Sequence, residues 1–200
     1  MLQHYDFIEI GTSDFNTLIK TASDQTVGLS VEPLLDYLKR LPDRACVTKV
    51  NAAVSDVNGN MEIYYIPDDV RIANKLPTWV KGTNKIGEPH PTVVRYLAKH
   101  GFSASLITHQ TVPVLSVSEL LQRYNVGSID YLKIDTEGHD CVIMNAYLTI
   151  AESTPTLQAK RIQFESNALS SQSDVTHVIQ RLQTLGYHIT KGKQDVVAKR

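Results

Sequence analysis

Strand-like and helix-like segments alternate from the first residues of this chain, and that alternation restricts it to a few architectures. Tyr5 to Ile10 is a short apolar run ending in Gly11, and Thr17 to Ala22 reads as the start of a helix. Val27 to Val31 is strand-like again and ends in Glu32-Pro33. Leu34, Leu35, Leu38 and Leu41 recur at helical spacing before Pro42, and Cys46 to Val54 is a third strand. Three strands separated by two helices, all before residue 60, predict an α/β protein with a parallel sheet and crossover helices.

The middle of the chain departs from this rhythm. Met61 to Ile66 is one more strand, but residues 67–105 are rich in Pro, Asn, Lys and Gly and hold the one tryptophan, Trp79. Pro91 to Lys99 is the one helix expected there. With too little apolar content for a core of its own, the stretch from about 60 to 110 is expected as an insertion between the third and fourth main strands. It would cover the acceptor side of a single domain spanning 1–200. Alternation resumes with a strand over Thr111–Val117 and a helix whose Ser118-Glu119-Leu120-Leu121 start resembles a capped N-terminus. Strands over Ile129–Ile134 and Arg161–Phe164 follow, with helices over Asp140–Leu148 and Asp174–Leu185. The final "GYHITKGKQDVVAKR" places two short strands around Lys191-Gly192-Lys193, a hairpin signal.

Composition removes several partner classes. A 42% apolar share supports a folded core, and a formal net charge of −1 offers no field for nucleic acid or anionic lipid. No obligate protein partner is evident, and no window approaches the roughly 20 apolar residues of a membrane span. The start, "MLQHYDFIEIG", lacks the basic and apolar regions of a secretory signal, so a cytoplasmic setting is expected. The two cysteines, Cys46 and Cys141, sit in apolar runs and are expected to be buried free thiols.

In open parallel sheets, ligands bind beyond the carboxyl ends of the strands. The first such end, "FIEIGTSDFNT", offers Glu9, Gly11, Thr12, Ser13 and Asp14, with Gly11 allowing a sharp turn. Phe15 stands where a dinucleotide fingerprint would place a second glycine, so an NAD reading is poorly supported. The second end gives Glu32 and Pro33. Glu32 can accept from both hydroxyls of a ribose, or act as a helix N-terminal carboxylate with Pro33 at the first helical position. Asn51, Ala52 and Ala53 at the third end leave room for a flat base. The fourth end, "YLKIDTEGHD", delivers Asp135, Glu137 and His139, and the fifth, "IQFESN", adds Glu165 and Asn167. Neighbouring strand ends that both deliver carboxylates point to a site.

"FIEIGTSDF", "VEPLLDYLKRLP", "NAAVSDVNG", "TVPVLSVSELL" and above all "IDYLKIDTEGHD" resemble, in order and spacing, the FkbM-type S-adenosylmethionine-dependent methyltransferases. The resemblance runs from about Phe7 to Leu148, and the closing hairpin is the usual ending of class I methyltransferases. It departs at the first strand, where the family's Asp-x-Gly-Ala-Asn-x-Gly is replaced by Glu9, Thr12, Ser13 and Phe15. It implies a Rossmann-like, doubly wound, mostly parallel seven-stranded sheet and bound S-adenosylmethionine. Gly11 and its neighbours would face the methionine portion, Glu32 the ribose, Asn51 to Ala53 the adenine, and Asp135 the boundary with the acceptor. The implied reaction is methyl transfer to a hydroxyl, of a sugar in a glycan or glycoconjugate or of a polyketide-type metabolite. A non-catalytic cofactor-binding module is the alternative from another class. An aliphatic hydroxyl needs a general base, for which Asp135 and His139 are the candidates, with Glu137 and Glu165 as orienting groups. Asp135, Glu165 and Asn167 would be an all-oxygen set for a divalent cation such as Mg²⁺. His90 and His109 are possible acceptor contacts, and Trp79 anchors the insertion or stacks on a sugar.

Overall fold

A computed structural model describes residues 1–200. The chain begins with strand β1 (Gln3–Ile10), followed by β2 (Gly28–Val31), helix α1 (Leu35–Arg40), β3 (Val47–Val50) and the short β4 (Ala53–Ser55). Next come β5 (Gly59–Tyr65), α2 (Asp68–Ala73), β6 (Lys85–Ile86), α3 (Pro91–Lys99), β7 (Thr108–Ser116) and α4 (Val117–Arg123). The last third contains β8 (Val126–Ile134), α5 (Asp140–Ala151), β9 (Arg161–Glu165), α6 (Gln172–Thr184), β10 (His188–Lys191) and β11 (Asp195–Lys199). It divides into two compact units, residues 1–59 with 113–200, and residues 60–112.

The first unit is built on a seven-stranded sheet in the order β10-β11-β9-β8-β1-β2-β3. Neighbours from β9 through β3 are parallel, and β11 runs antiparallel between β9 and β10, closing the expected hairpin. β8 and β1 lie in the middle of this order, and the second half of β1, from Phe7 to Ile10, is buried on both faces. On one face Ile8, Ile10, Leu29, Val31, Leu132, Ile134, Ile162 and Phe164 pack with α4, α5 and α6 in the main core. α5 is buried along most of its length, through Ile143, Met144, Tyr147, Leu148 and Ala151. α6 instead buries only the stripe Val175, Val178 and Leu182. The opposite face carries a smaller cluster of Phe7, Ile19, Leu38 and Leu41.

Several local expectations change. Thr17–Ala22 forms only a short 3₁₀ turn, Leu18–Lys20, whose entry is held by the Thr17 hydroxyl and Leu18 N–H donating to Glu9. The third strand candidate breaks at Asn51 into β3, which joins the large sheet, and β4, which pairs in parallel with the end of β7. The cap of α4 is Ser116, whose Oγ accepts from Glu119 N at 3.1 Å, so Ser118 lies inside the helix. Leu34, not Pro33, precedes α1. Cys46 is exposed and Cys141 buried, where desolvation pushes its thiol up to about 11. No helix is long and apolar enough to cross a membrane.

The second unit has a core after all. Ile66, Leu76, Val80, Val93 and Leu97 gather beside an antiparallel β5–β6 pair, where a sequence reading had found too little apolar content. The residues are scattered over thirty positions, so no single window of sequence looks hydrophobic. His90 caps α3, its Nδ1 accepting from Thr92 N at 3.1 Å. Trp79 is 42% exposed and meets Tyr96 edge-on, while His109 lies against Tyr64.

Candidate functional site

The sheet ladder continues one step past the last fully paired row. Asp135 N donates to Ile10 O at 2.9 Å, Gly11 N to Val31 O at 3.0 Å, and Glu32 N to Val50 O at 3.0 Å. Asp135, Gly11 and Glu32 therefore stand side by side along the carboxyl edge of the sheet. The same register sets Glu165 beside Asp135, since Ile134 pairs with Phe164. Gly11 is fixed by close approach, because a Cβ there would lie 1.9 Å from Asp135 O and φ is +81°.

At the β2 end of this row, Glu32 is 3% exposed and takes Ser13 N at 2.7 Å and Leu34 N at 2.9 Å, one on each oxygen. Burial pushes its carboxyl up to about 7, partly offset by those two backbone donors. Each oxygen keeps a second lone pair for a hydroxyl donor. Ser13 has φ +47°, and its buried Oγ has no hydrogen-bond partner. Thr12 is buried, with Oγ1 on Ser13 O. Asn51 Nδ2 bridges Glu32 O and Pro33 O at 3.0 and 2.8 Å, tying the β3 end to the β2 end.

Four more of the expected ligand-facing positions are buried. Glu9 is fully buried, with Oε1 on Lys133 Nζ at 2.7 Å and Oε2 on Thr17 Oγ1 and Leu18 N. The in-register pairing of Glu9 with Lys133 makes this an internal clamp between β1 and β8, and accounts for the lysine in an otherwise apolar strand. Asp14 is paired with Arg40 at 3.1 Å and is 9% exposed. Ala52 and Ala53 are each 3% exposed, with Ala52 inside the main core, so Asn51 is the exposed member of that trio. Phe15, in the place of a second glycine, lies 43% exposed.

At the other end, the β8–α5 turn passes through two left-handed residues, Glu137 at φ +52° and Gly138 at φ +93°. A Cβ on Gly138 would come within 2.8 Å of Leu169 Cβ. The turn thus needs the Glu-Gly pair for its shape, with strain stored at a non-glycine residue. Asp140 is fully buried and clamps the turn: Oδ1 accepts from Glu165 N at 3.0 Å, and Oδ2 from Thr136 N and Oγ1 at 3.3 and 2.9 Å. One oxygen each of Asp135, Glu137 and Glu165 lies within 4.8 Å of the others.

This crowding changes their acidity. Desolvation first, then the charges of Glu137, Asp135 and Asp140, push Glu165 up to about 9. Desolvation and the Asp140 charge push Asp135 up to about 7, against the pull of Lys133. Asp135 is nevertheless exposed as a residue, so solvent screens part of that effect, and its carboxyl remains open to an incoming group. Asp140 rises to about 6, mainly by burial. At neutral pH Glu165 is therefore mostly protonated. Asn167 Oδ1 accepts from Leu169 N at 2.8 Å, and its side chain hydrogen-bonds Glu165.

His139 N-caps α5 without a side-chain cap bond, and its Nε2 lies 2.9 Å from Ser55 Oγ. The sequence had offered no reason to connect it with Ser55 or Asp56, nor to give Asp140 more than a capping role.

Residues 7–189 match the Methyltransferase FkbM domain, which covers nearly the whole chain and both units. The protein is a methyltransferase. It belongs to the FkbM family. No curated protein and no solved structure matches it.

Proposed function

We propose that this is a Rossmann-like class I enzyme that transfers a methyl group from S-adenosylmethionine to a hydroxyl of a sugar in a glycan or glycoconjugate. The observation that carries this reading is the row Glu32, Gly11, Asp135, Glu165 along one sheet edge. It sets a ribose-type acceptor of hydrogen bonds at one end and proton-handling carboxyls at the other. The residues fit the cofactor: Glu32 has lone pairs left for two ribose hydroxyls, and the orphaned Ser13 Oγ beside it needs a partner. When bound, S-adenosylmethionine supplies an electrophilic methyl group on a sulfonium.

The chain supplies the rest. Glu32 and Ser13 hold the nucleoside, and Asn51 fixes the β3 end beside it. Asp135 stands between cofactor and acceptor, and protonated Glu165 donates a hydrogen bond to a polyhydroxyl acceptor. Placing the acceptor oxygen in line with the methyl group can supply several kcal/mol of the barrier.

The test is transfer of labelled methyl to a panel of sugar acceptors, beside thermal denaturation with and without S-adenosylmethionine. Saturating cofactor should raise the melting temperature. In Glu32→Ala, cofactor affinity should fall about 10- to 100-fold, as loss of hydrogen bonds to a charged group costs about 1.5–3 kcal/mol. An unchanged affinity in Glu32→Ala would reject the ribose assignment. Methylation of polyketide-type alcohols but no sugar would move the acceptor class.

A further inference from the structure

The amino ends of β1 and β8 form the edge of the sheet opposite the one that carries Gly11 and Asp135. There the strands bring a histidine and two aspartates together. β1 and β8 pair in parallel, but the register slips by one residue between Gln3, opposite Val126, and His4, opposite Ser128. The slip passes over Gly127, so His4 stands beside Ser128 and, two residues on, Asp6 comes beside Asp130. One ligand atom each of His4, Asp6 and Asp130 lies within 4.8 Å of the others, all within the first unit.

The separations are those of groups gathered around an ion rather than bonded to one another. His4 Nε2 is 3.5 Å from Asp130 Oδ1 and 3.8 Å from Asp6 Oδ1, both beyond hydrogen-bond length. Zinc held tetrahedrally by nitrogen and oxygen at about 2.0–2.2 Å sets its ligand atoms about 3.4 Å apart. Small side-chain shifts therefore close the set around one cation. Other contacts orient the ligands in advance. His4 Nδ1 lies 2.8 Å from Ser128 Oγ, an outer partner that leaves Nε2 to face the carboxylates. Asp6 Oδ2 accepts from Val27 N at 2.8 Å, which holds that carboxylate with Oδ1 towards His4.

A positive charge already stands at one side of the group. Lys160 Nζ is 2.8 Å from Asp130 Oδ1, although its approach makes no hydrogen bond to that oxygen. The Lys160 side chain is 74% exposed, and a surface pair of this kind contributes little. An ammonium on a flexible, solvated stem gives way readily to a metal ion.

We propose that His4, Asp6 and Asp130 form a Zn²⁺ site that staples β1 to β8 at the amino edge of the sheet. Three protein ligands of mixed nitrogen and oxygen suit zinc, and they leave a fourth position for water at an edge where the His4 and Asp6 side chains are about half exposed. The site is separate from the carboxyls of the opposite edge and does not rest on the assignment of the acceptor.

Isothermal titration calorimetry of the whole chain with Zn²⁺, beside thermal denaturation, tests the site. Wild type should bind one equivalent through these residues and melt at a higher temperature when Zn²⁺ is present. In His4→Ala, a surface change that leaves Cys46 and the other histidines in place, both the equivalent and the melting shift should disappear. Ser128→Ala, which removes only the outer partner, should weaken binding about 10- to 100-fold. Lys160→Met acts in the opposite direction: with the competing ammonium gone from Asp130, Zn²⁺ should bind about 2- to 5-fold more tightly. No Zn²⁺ binding by wild type overturns the site and leaves His4 as a surface partner of the two aspartates. Binding and melting shift unchanged in His4→Ala place the metal elsewhere and overturn it equally. An affinity no tighter in Lys160→Met removes Asp130 from the ligand set, and the three-residue site fails.

Discussion

At the scale of single residues, the site works through a separation of buried charge from exposed charge. Glu9 and Glu32 end neighbouring strands, yet one is closed within a ring of internal donors and the other keeps lone pairs towards the edge. Breaking the Glu9–Lys133 pair would leave a mostly buried ammonium without its carboxylate, keeping Asn16 O at 3.1 Å as an acceptor, since the Lys133 side chain is 14% exposed. Glu9→Gln should cost about 3–5 kcal/mol, lowering the melting temperature by about 10 °C. Adding Lys133→Met should restore most of that loss. A single variant that melts like wild type would show that the ion pair does not hold β1 to β8. Legibility followed the same division. The strand-end rule picked out Glu32, Asp135 and Glu165, and register sets all three along the carboxyl edge of the sheet. It could not foresee the internal bonds of Glu9, because a partner 124 residues away is brought to a strand-end carboxylate only across strands.

At the scale of elements, Asp140 is the joint between β8, α5 and β9. Its carboxylate takes donors from the turn on one oxygen and from the start of the β9 exit on the other. Asp140→Asn would turn an NH₂ group towards an N–H in any orientation. The expected cost is about 3 kcal/mol, with faster amide hydrogen exchange at Thr136 and Glu165 as the local signature. Protection unchanged at those two amides would disprove the clamp. In the sequence Asp140 looks like an ordinary helix-start carboxylate, and nothing nearby signals a partner 25 residues on. The helices themselves were read with uneven success. Pro91–Lys99 matches α3 end to end, since a capping residue, an N1 proline and apolar spacing agree there. Thr17–Ala22 forms only the 3₁₀ turn Leu18–Lys20.

At the scale of the whole molecule, the raised carboxyls bear together on stability. Asp140 near 6, Glu32 and Asp135 near 7, and Glu165 near 9 all titrate above the ordinary range of about 4 for unfolded carboxylates. Over that interval the folded state binds more protons than the unfolded one. Their contribution to stability is therefore complete below about pH 4 and is lost as pH rises through about 6 to 9. The melting temperature at about pH 9 should lie several degrees below that at about pH 5.5, with cofactor absent. A stability that climbs across this window would contradict the assigned acidities.

Local sequence determined the α/β alternation, the closing hairpin and the row of chemistry-bearing strand ends, because apolar periodicity and turn residues act over a few positions. The "IDYLKIDTEGHD" stretch likewise specified the strand, its strained Glu-Gly turn and the helix after it. Tertiary structure alone decided which ionisable groups line the sheet edge, which became clamps, and how burial shifts their acidity. Those outcomes depend on burial and on partners brought together from distant parts of the chain. The Ser55–His139 contact spans 84 residues, and only folding makes it a hydrogen bond.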